Sequence, residues 1–376
     1  MIVMKFGGSS FQDAAAWQRV LAIVQARKSL GPLVVVSAIA GITNTLAAAA
    51  ANAARGEGMK VQQNFEQIAA AHFDACEVLG LGKELRQQIG ARIRDLRMCL
   101  QSVLTLGELT PRIRDQVLGY GELLSSSIAA EFLKQNGLPA RFVDAREFLI
   151  TNDTFGSAIP RFRSSRIRAQ NLLAPLLQQN IIAVVPGFIG ATEKGFTSTL
   201  GRGGSDYSAS LLGGWLGAEE IEIWKDVPGF MTADPMVVTD AQTIPYLSYS
   251  DAEQLCRFGA KILHPLAVRY AARKGLALCI LYTRDPANPG TLITAKRIHS
   301  PHVIGIAAHI ASGRVTVIGE GLRKPMVAAQ ILNSCGGVEI LRVSQNSLRS
   351  RMILVIMKED TERAIRQIHD GVKSYL

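Results

Sequence analysis

The chain has 376 residues, and at roughly 100 to 200 residues per domain this length implies two or three domains, not one core. Apolar residues make up 48% and charged residues 19%, with 34 Gly and 14 Pro, a balance that excludes a disordered, fibrous or low-complexity protein. Forty-one Lys+Arg against 31 Asp+Glu leave a net charge of +10, which favours anionic partners. The basic clusters Arg92/Arg94/Arg97, Arg112/Arg114 and Arg161/Arg163/Arg166/Arg168 are not interleaved with base-stacking aromatics or set in a helix-turn-helix or RNP-like pattern, so they read as solvated helix faces and no nucleic-acid partner is expected.

The start Met1-Ile-Val-Met-Lys5 lacks the layout of a signal peptide, and no stretch approaches about 18 uncharged apolar residues. A cytoplasmic protein with no membrane partner is expected. Cys76, Cys99, Cys256, Cys279 and Cys335 form no CxxC, and the six histidines show no HExxH. Reduced, mostly buried thiols and no structural metal follow.

Ile2 to Phe6 reads as a strand, Gly7-Gly8-Ser9-Ser10 as a glycine-rich turn, and Trp17, Val20, Leu21 and Val24 as the apolar face of a helix. Leu33-Val-Val-Val36, bounded by Gly31-Pro32 and Ser37, suits a strand buried on both faces. From about 45 to 110 strand signal is nearly absent, and two or three helices broken at Gly56-Glu57-Gly58 and Gly80-Leu81-Gly82 make a helical insertion. Alternation then resumes: helix Gly121–Gln135, strand Ala140–Val143, helix Ile167–Gln179, strand Ile181–Val185, helix Ser205–Leu216, strand Glu220–Trp224, helices Tyr249–Phe258 and Leu263–Lys274, and strand Leu276–Tyr282. This order predicts an α/β fold, a mostly parallel sheet sandwiched by helices. The turn Asn288-Pro289-Gly290-Thr291 closes the region, and 294–301 reads as a linker. Beyond it, strand Arg314–Ile318, helix Pro325–Ser334, strands Val338–Val343 and Met352–Met357 and helix Thr361–Val372 predict a small ferredoxin-like β-α-β-β-α unit.

Four segments carry candidate chemistry. Lys5-Phe6-Gly7-Gly8-Ser9-Ser10 sets a lysine before a turn whose glycines let backbone N–H groups approach an anion; it is neither a Walker A nor a GxGxxG sequence. Thr199-Leu-Gly-Arg-Gly-Gly-Ser-Asp206 brings a guanidinium able to grip a carboxylate, an open backbone and an acid to the entry of a helix. Trp224-Lys-Asp-Val-Pro-Gly-Phe-Met-Thr-Ala-Asp-Pro235 follows a strand's C-terminal end, where parallel sheets place ligands. Phe258-Gly-Ala-Lys-Ile-Leu-His-Pro265 sets Lys261 at a helix start, where it suits a phosphate, and His264 before a proline, where it reads as a cap or core residue.

Together these motifs resemble the amino acid kinase family and, within it, the aspartate kinases. The resemblance also covers Val36-Ser-Ala38 with Gly41-Ile-Thr-Asn44, Gly121-Glu-Leu-Leu-Ser125, Ala233-Asp-Pro235 and Pro289-Gly-Thr291, and runs in family order over residues 1 to about 293. The C-terminal unit is similar to an ACT domain through Arg314-Val-Thr-Val-Ile-Gly-Glu-Gly321 and the helix containing Ile368-His369. The resemblance implies a catalytic domain at 1–293, the linker 294–301 and a single regulatory or dimerisation unit at 302–376.

It implies transfer of the ATP γ-phosphate to the β-carboxylate of L-aspartate, giving 4-phospho-L-aspartate, the first step toward lysine, threonine and methionine. Lys5 and Asp206 are then catalytic, with Lys5 balancing charge on the transferring group and Asp206 orienting Lys5 or helping to place Mg²⁺. The main ligands of that Mg²⁺ are nucleotide phosphates and no resident metal is implied. Arg202 clamps the substrate α-carboxylate, Glu122 holds its α-ammonium, and Ser37, Thr43 and Ser205 hydrogen-bond. Without the family, Glu122 reads as an exposed acid near a helix N-terminus. Gly7, Gly8, Ser9, Lys225, Asp226, Met231, Asp234 and Lys261 bind the nucleotide. A homodimer through the ACT-like unit and an amino-acid effector are the implied partners.

Two departures matter. The family strip reads Trp-Thr-Asp-Val-Asp-Gly-Ile-Tyr-Thr-Ala-Asp-Pro-Arg, whereas Lys225, Pro228, Met231 and Met236 stand at its Thr, second Asp, Tyr and Arg positions; Lys225 is a candidate replacement for the lost Arg charge. Second, there is room for one ACT unit where relatives commonly carry two, and Ser344-Gln-Asn-Ser347 replaces the usual Ser-Glu-Ile-Ser, so weakened or altered lysine and threonine feedback is expected. The alternatives are a kinase of another amino acid or small carboxylate, and a catalytically impaired ACT-bearing sensor or partner subunit.

Overall fold

Ile2-Val-Met-Lys-Phe6 and Pro32-Leu-Val-Val-Val36 are buried along their whole length, and a strand without a solvent face belongs inside a sheet covered on both sides. The computed structural model describes residues 1–295, 303–346 and 350–376. Its contacts divide it into one unit, Met1–Asp226, and a second, Val227–Leu376.

The strands of the first unit are β1 (Ile2–Phe6), β2 (Pro32–Val36), β3 (Ala140–Phe142), β4 (Ile150–Thr151), β5 (Ile182–Pro186), β6 (Ile189–Thr192), β7 (Thr197–Thr199) and β8 (Glu220–Lys225). Five form a parallel sheet in the order β3-β5-β2-β1-β8, as the βα alternation requires. In this register Lys5 lies between Val35 of β2 and Ile223 of β8. The unexpected β4, β6 and β7 make a separate three-stranded sheet; strands of two to four residues are too short to show a period.

The helices of this unit are α1 (Ala14–Ala26), α2 (Ile42–Ala54), α3 (Gly58–Val78), α4 (Lys83–Leu106), α5 (Pro111–Gln135), α6 (Phe162–Gln178) and α7 (Gly204–Leu216). The breaks before α3 and α4 fall at the expected glycines, and Gly56 and Gly80 adopt the left-handed φ values of 74° and 64° that glycine allows at no steric cost. By contrast α5 begins ten residues before the expected Gly121. Thr110 caps the Ile113 N–H at 3.3 Å and Pro111 takes the first helical position, a strong start signal. Glu122 is therefore not near a helix N-terminus but in the middle of a long buried helix.

The second unit contains β9 (Tyr246–Ser248), α8 (Tyr249–Phe258), α9 (Pro265–Lys274), β10 (Ala277–Tyr282), β11 (Thr291–Thr294), β12 (Gly305–His309), β13 (Arg314–Ile318), α10 (Pro325–Ser334), β14 (Ile340–Asn346), β15 (Arg351–Ile356) and α11 (Thr361–Val372). β11 pairs antiparallel with β10 and parallel with β9. The order β12-β13-β15-β14 makes an antiparallel sheet, adding β12 to the expected β-α-β-β-α unit. β14 runs through Ser344 to Asn346, the first three residues of the segment that departs from the family's Ser-Glu-Ile-Ser, and Ser347 lies outside the described residues.

The contact boundary falls at Asp226/Val227, within the 1–293 segment. Its physical reason is that Ala233, Val237 and Val238 share one apolar core with Val315, Leu354 and Ile368. The expected linker is described only at Thr294, which ends β11, and Ala295; 296–301 lie outside the described residues.

Candidate active site

The site is built where β1, β2 and β8 end and α2 and α7 begin, the carboxyl edge at which open parallel sheets take ligands. A cavity of about 570 Å³ opens there, lined by Lys5, Gly8, Ser37, Thr43, Glu122, Arg202, Ser205, Asp206 and Lys225 among others. Nine residues spread over 220 positions of sequence are thus brought to one pocket.

Its floor is backbone. A Cβ on Gly8 would lie 2.7 Å from the Ala38 carbonyl oxygen and 3.2 Å from the Ala40 nitrogen, so only glycine lets these two turns close on each other. The Gly7 N–H donates to the Trp224 carbonyl at 3.3 Å, so it is engaged within the sheet, and of the two glycines it is Gly8 that lines the cavity. Gly41 and Gly203 precede α2 and α7 with left-handed φ values of 82° and 71°. Both helices present a positive dipole end at the cavity, which suits an anion, although the Gly204 and Asp206 N–H groups at the start of α7 already donate to the Gly201 and Gly203 carbonyls.

The charged centre is Asp206, in the first turn of α7. Lys5 Nζ lies 2.7 Å from Asp206 Oδ1 and Lys225 Nζ lies 3.2 Å from Oδ2. Burial pushes the Asp206 carboxyl up, but Lys225 and then Lys5 outweigh it and hold it below the usual range. Burial lowers Lys5 to about 8; Asp206 opposes that shift and Lys225 adds to it. Two lysines thus share one carboxylate in this buried cluster.

Glu122 is 3% exposed. The Ala38 N–H donates to its carboxylate, while Oε2 is buried without a hydrogen-bond partner among the described residues. Burial raises its pKa to about 8, so its charged form awaits a cation. Its position comes from Gly121, where a Cβ would meet Ala38 Cβ at 2.8 Å, and from Ser125, whose hydroxyl donates to the Ser37 carbonyl at 2.9 Å. Arg202 is exposed at the cavity rim, whereas Ser205 is 8% exposed and packs on Gly187.

Sequence reasoning missed Arg114 and Asp115. Arg114, Leu118 and Glu122 all line the cavity; spaced by four on α5, they share a helix face, a pattern that could have separated Arg114 from the solvated arginines. The neighbouring Asp115 is fully buried and accepts from Gly156 N–H and Thr199 N–H, each at 2.8 Å, and from the Thr199 hydroxyl at 2.9 Å.

Several expected nucleotide residues are not in this cavity. Ser9 and Asp226 belong to the first unit but do not line it. Met231, Asp234 and Lys261 belong to the second unit. Met231 bridges to Thr243 and Asp234 accepts from the Met236 N–H at 2.9 Å. Lys261 is exposed in the turn before α9 and does not start the helix; His264 is its cap, accepting from the Leu266 N–H at 3.2 Å.

Lining carboxylates are limited to Glu122 and Asp206, and each oxygen of Asp206 already faces a lysine. This donor set fits Mg²⁺ carried on nucleotide phosphates, not a cation caged by the protein. Among the described residues the grouping of metal-ligand side chains is Asp240, His369 and Asp370 in the second unit, whose carboxylates Lys373 already bridges at 2.6 and 2.9 Å. No helix among the described residues is long and apolar enough to cross a membrane.

Residues 1–282 match the family described as the amino acid kinase family. The chain is 35% identical over 304 residues to lysine-sensitive aspartokinase 3 of Escherichia coli, covering 80% of this chain and 66% of that protein. It is 35% identical over 309 residues to the chloroplastic aspartokinase 3 of Arabidopsis thaliana, covering 80% and 54%. It therefore spans between about half and just under two thirds of the length of these curated relatives. Among solved structures, E. coli aspartokinase III in complex with aspartate and ADP superimposes with a TM-score of 0.91 at 26% identity, covering 99% of this chain and 100% of that one. The same enzyme in complex with lysine and aspartate gives 0.82 at 26%, covering 99% of each chain. With 282 of 376 residues matched, and with glycine turns, buried lysine and buried acid assembled at one sheet edge, the chain belongs to the amino acid kinase family.

Proposed function

We propose that the chain is an aspartate kinase that moves the γ-phosphoryl group of ATP to the β-carboxylate of L-aspartate, giving 4-phospho-L-aspartate and ADP. The observation that carries this reading is the pairing, in one cavity, of a buried Glu122 lacking a partner on Oε2 with the Lys5–Asp206 ion pair. Glu122 suits an α-ammonium and the Lys5–Asp206 pair a phosphoryl group. Relatives named aspartokinase, and a similar structure holding aspartate and ADP, support it.

A β-carboxylate oxygen attacks the γ-phosphorus, the bond from that phosphorus to the β–γ bridging oxygen breaks, and ADP leaves with the electron pair. The acceptor is already ionised, so no general base is needed. Catalysis rests on positioning and on positive charge where negative charge develops. Lys5, the Gly8 backbone and the N-termini of α2 and α7 supply that charge. Arg202 clamps the α-carboxylate, Glu122 the α-ammonium, and Ser37, Thr43 and Ser205 hydrogen-bond the acceptor. Mg²⁺, when bound to the nucleotide, neutralises phosphate charge.

The proposed domains remain a catalytic segment to about 293 and an ACT-like segment from 302. The β12-β13-β15-β14 sheet with α10 and α11 serves as the dimerising unit and takes an amino-acid effector. A cytoplasmic homodimer with weakened lysine or threonine feedback is the corresponding assembly; a millimolar lysine titration of the kinase rate tests the feedback. The direct test of the reaction is purified protein with ATP, Mg²⁺ and a panel of amino acids, with acyl phosphate trapped by hydroxylamine. Aspartyl hydroxamate is expected. A hydroxamate of another acid moves the substrate assignment, and none with any acceptor removes the kinase reading.

A further inference from the structure

The Lys5–Asp206 pair has a third member. Lys225 ends β8, adjacent and parallel to β1, so the two lysines come from neighbouring strands and meet at Asp206 in the first turn of α7. They divide one carboxylate: Lys5 takes Oδ1 at 2.7 Å and Lys225 takes Oδ2 at 3.2 Å. A carboxylate held at both oxygens has little rotational freedom about its terminal bond. Lys225 also lines the cavity, and its side chain is 17% exposed, so its charge is only partly screened by solvent.

We propose that Lys225 is a positioning residue for phosphoryl transfer, fixing the Asp206 carboxylate beneath Lys5 and adding positive charge that faces the transferring group. This inference rests on the kinase reading for its consequence in catalysis, but its electrostatic core does not. The titratable groups facing Lys5 are Asp206 from α7, Lys225 from β8 and Glu122 from α5, the last with its own pKa raised by burial to about 8. Asp206 favours the ammonium form of Lys5, and Lys225 disfavours it by like-charge repulsion. Removing the Lys225 charge therefore raises the Lys5 pKa from its value of about 8. It also frees one Asp206 oxygen.

The test uses the full chain and the variants K225M, K225R and K225Q. The side-chain ¹³Cε signals of selectively labelled lysines are titrated, with Lys5 assigned through K5R. The expected result is a Lys5 midpoint near 8 in the parent, moved up by roughly half a pH unit or more in K225M and unmoved in K225R, which keeps the charge. K225Q should show the same upward shift, so the test survives poor folding of K225M. In the kinase assay the alkaline limb of kcat should move with the Lys5 midpoint, and kcat should fall about tenfold with the KM for aspartate nearly unchanged. A Lys5 midpoint identical in parent, K225M and K225Q overturns the inference, as does a fall in kcat equally severe in K225R. If the parent forms no acyl phosphate with any amino acid, the kinase reading fails, while the titration still decides whether Lys225 sets the state of Lys5.

Discussion

Asp115 accepts both hydrogens that Thr199 offers, the backbone N–H at 2.8 Å and the hydroxyl at 2.9 Å. It also accepts from the Gly156 N–H at 2.8 Å, so one buried carboxylate ties α5 to the end of β7 and to the turn beside it. Gly156 and Thr199 both line the cavity, and a Cβ on Gly201 would come within 3.2 Å of the Gly156 carbonyl oxygen. Asp115 thereby fixes the loop that presents Arg202.

Replacing Asp115 by Asn puts an amide donor among donors and removes a charge-assisted acceptor. D115N should cost about 3 kcal/mol, read as a lower urea midpoint at unchanged slope. The KM for aspartate should rise about tenfold through the displaced Arg202 loop, with the KM for ATP little changed. T199V, which loses only the hydroxyl, should cost about 1 kcal/mol.

Gly8 makes a second prediction. A methyl group there would sit 2.7 Å from the Ala38 oxygen, which is backbone and cannot swing aside. G8A should lower kcat about 100-fold, the scale of losing an oriented backbone donor, with little change in far-ultraviolet circular dichroism. G7A provides the contrast: its Cβ meets the Trp224 oxygen at 3.7 Å, an ordinary contact, and the Gly7 N–H already donates to the Trp224 carbonyl, so kcat should fall far less. A larger loss in G7A than in G8A would reverse the assignment of the phosphate donor.

The contrast between these glycines shows what was legible in the sequence. The parallel sheet was, because β1, β2 and β5 are apolar runs buried throughout and helices of ordinary length separate them. Lys5, Gly8, Arg202 and Asp206, which all line the cavity, were legible as members of motifs. Pairings made by topology were not. Lys225 reads as part of a strip following a strand, and only the placement of β8 beside β1 brings it to Asp206. Glu122 reads as a surface acid while its helix is thought to start at Gly121, and becomes a buried one once Thr110 and Pro111 start α5.

In the second unit, Gly259 lies in a segment read from sequence as a phosphate-binding motif, yet it has a packing reason of its own. Its φ is 134°, and a Cβ there would lie 2.1 Å from the Ala308 carbonyl oxygen on β12. G259A should destabilise the chain by about 3 kcal/mol or more through strain and displacement of β12, seen as a lower thermal midpoint. K261A, at an exposed position, should change stability by no more than about 0.5 kcal/mol and so leave that midpoint nearly in place, which separates the packing role of Gly259 from the proposed ligand-binding role of Lys261.

Glu122 ties stability to binding through a single proton. Burial raises its pKa from 4.5 to about 8. Below the lower value both folded and unfolded chains hold the proton. Between the two values the unfolded chain has released it and the folded chain has not, so stability falls as pH rises through this window and the full loss is present above the upper value. E122Q carries no such proton. Its thermal midpoint should match the parent near the acid end of the window and exceed it increasingly toward pH 8. If Glu122 holds the substrate as proposed, the same substitution removes the counterion of the α-ammonium, and the KM for aspartate should rise about 30-fold or more. In the parent, an arriving ammonium lowers the Glu122 pKa and expels its proton, so calorimetry at pH 7 in buffers of different ionisation enthalpy should show nearly one proton released per aspartate bound. An E122Q protein that is no more stable at pH 8 and releases the same proton would place the titrating group elsewhere.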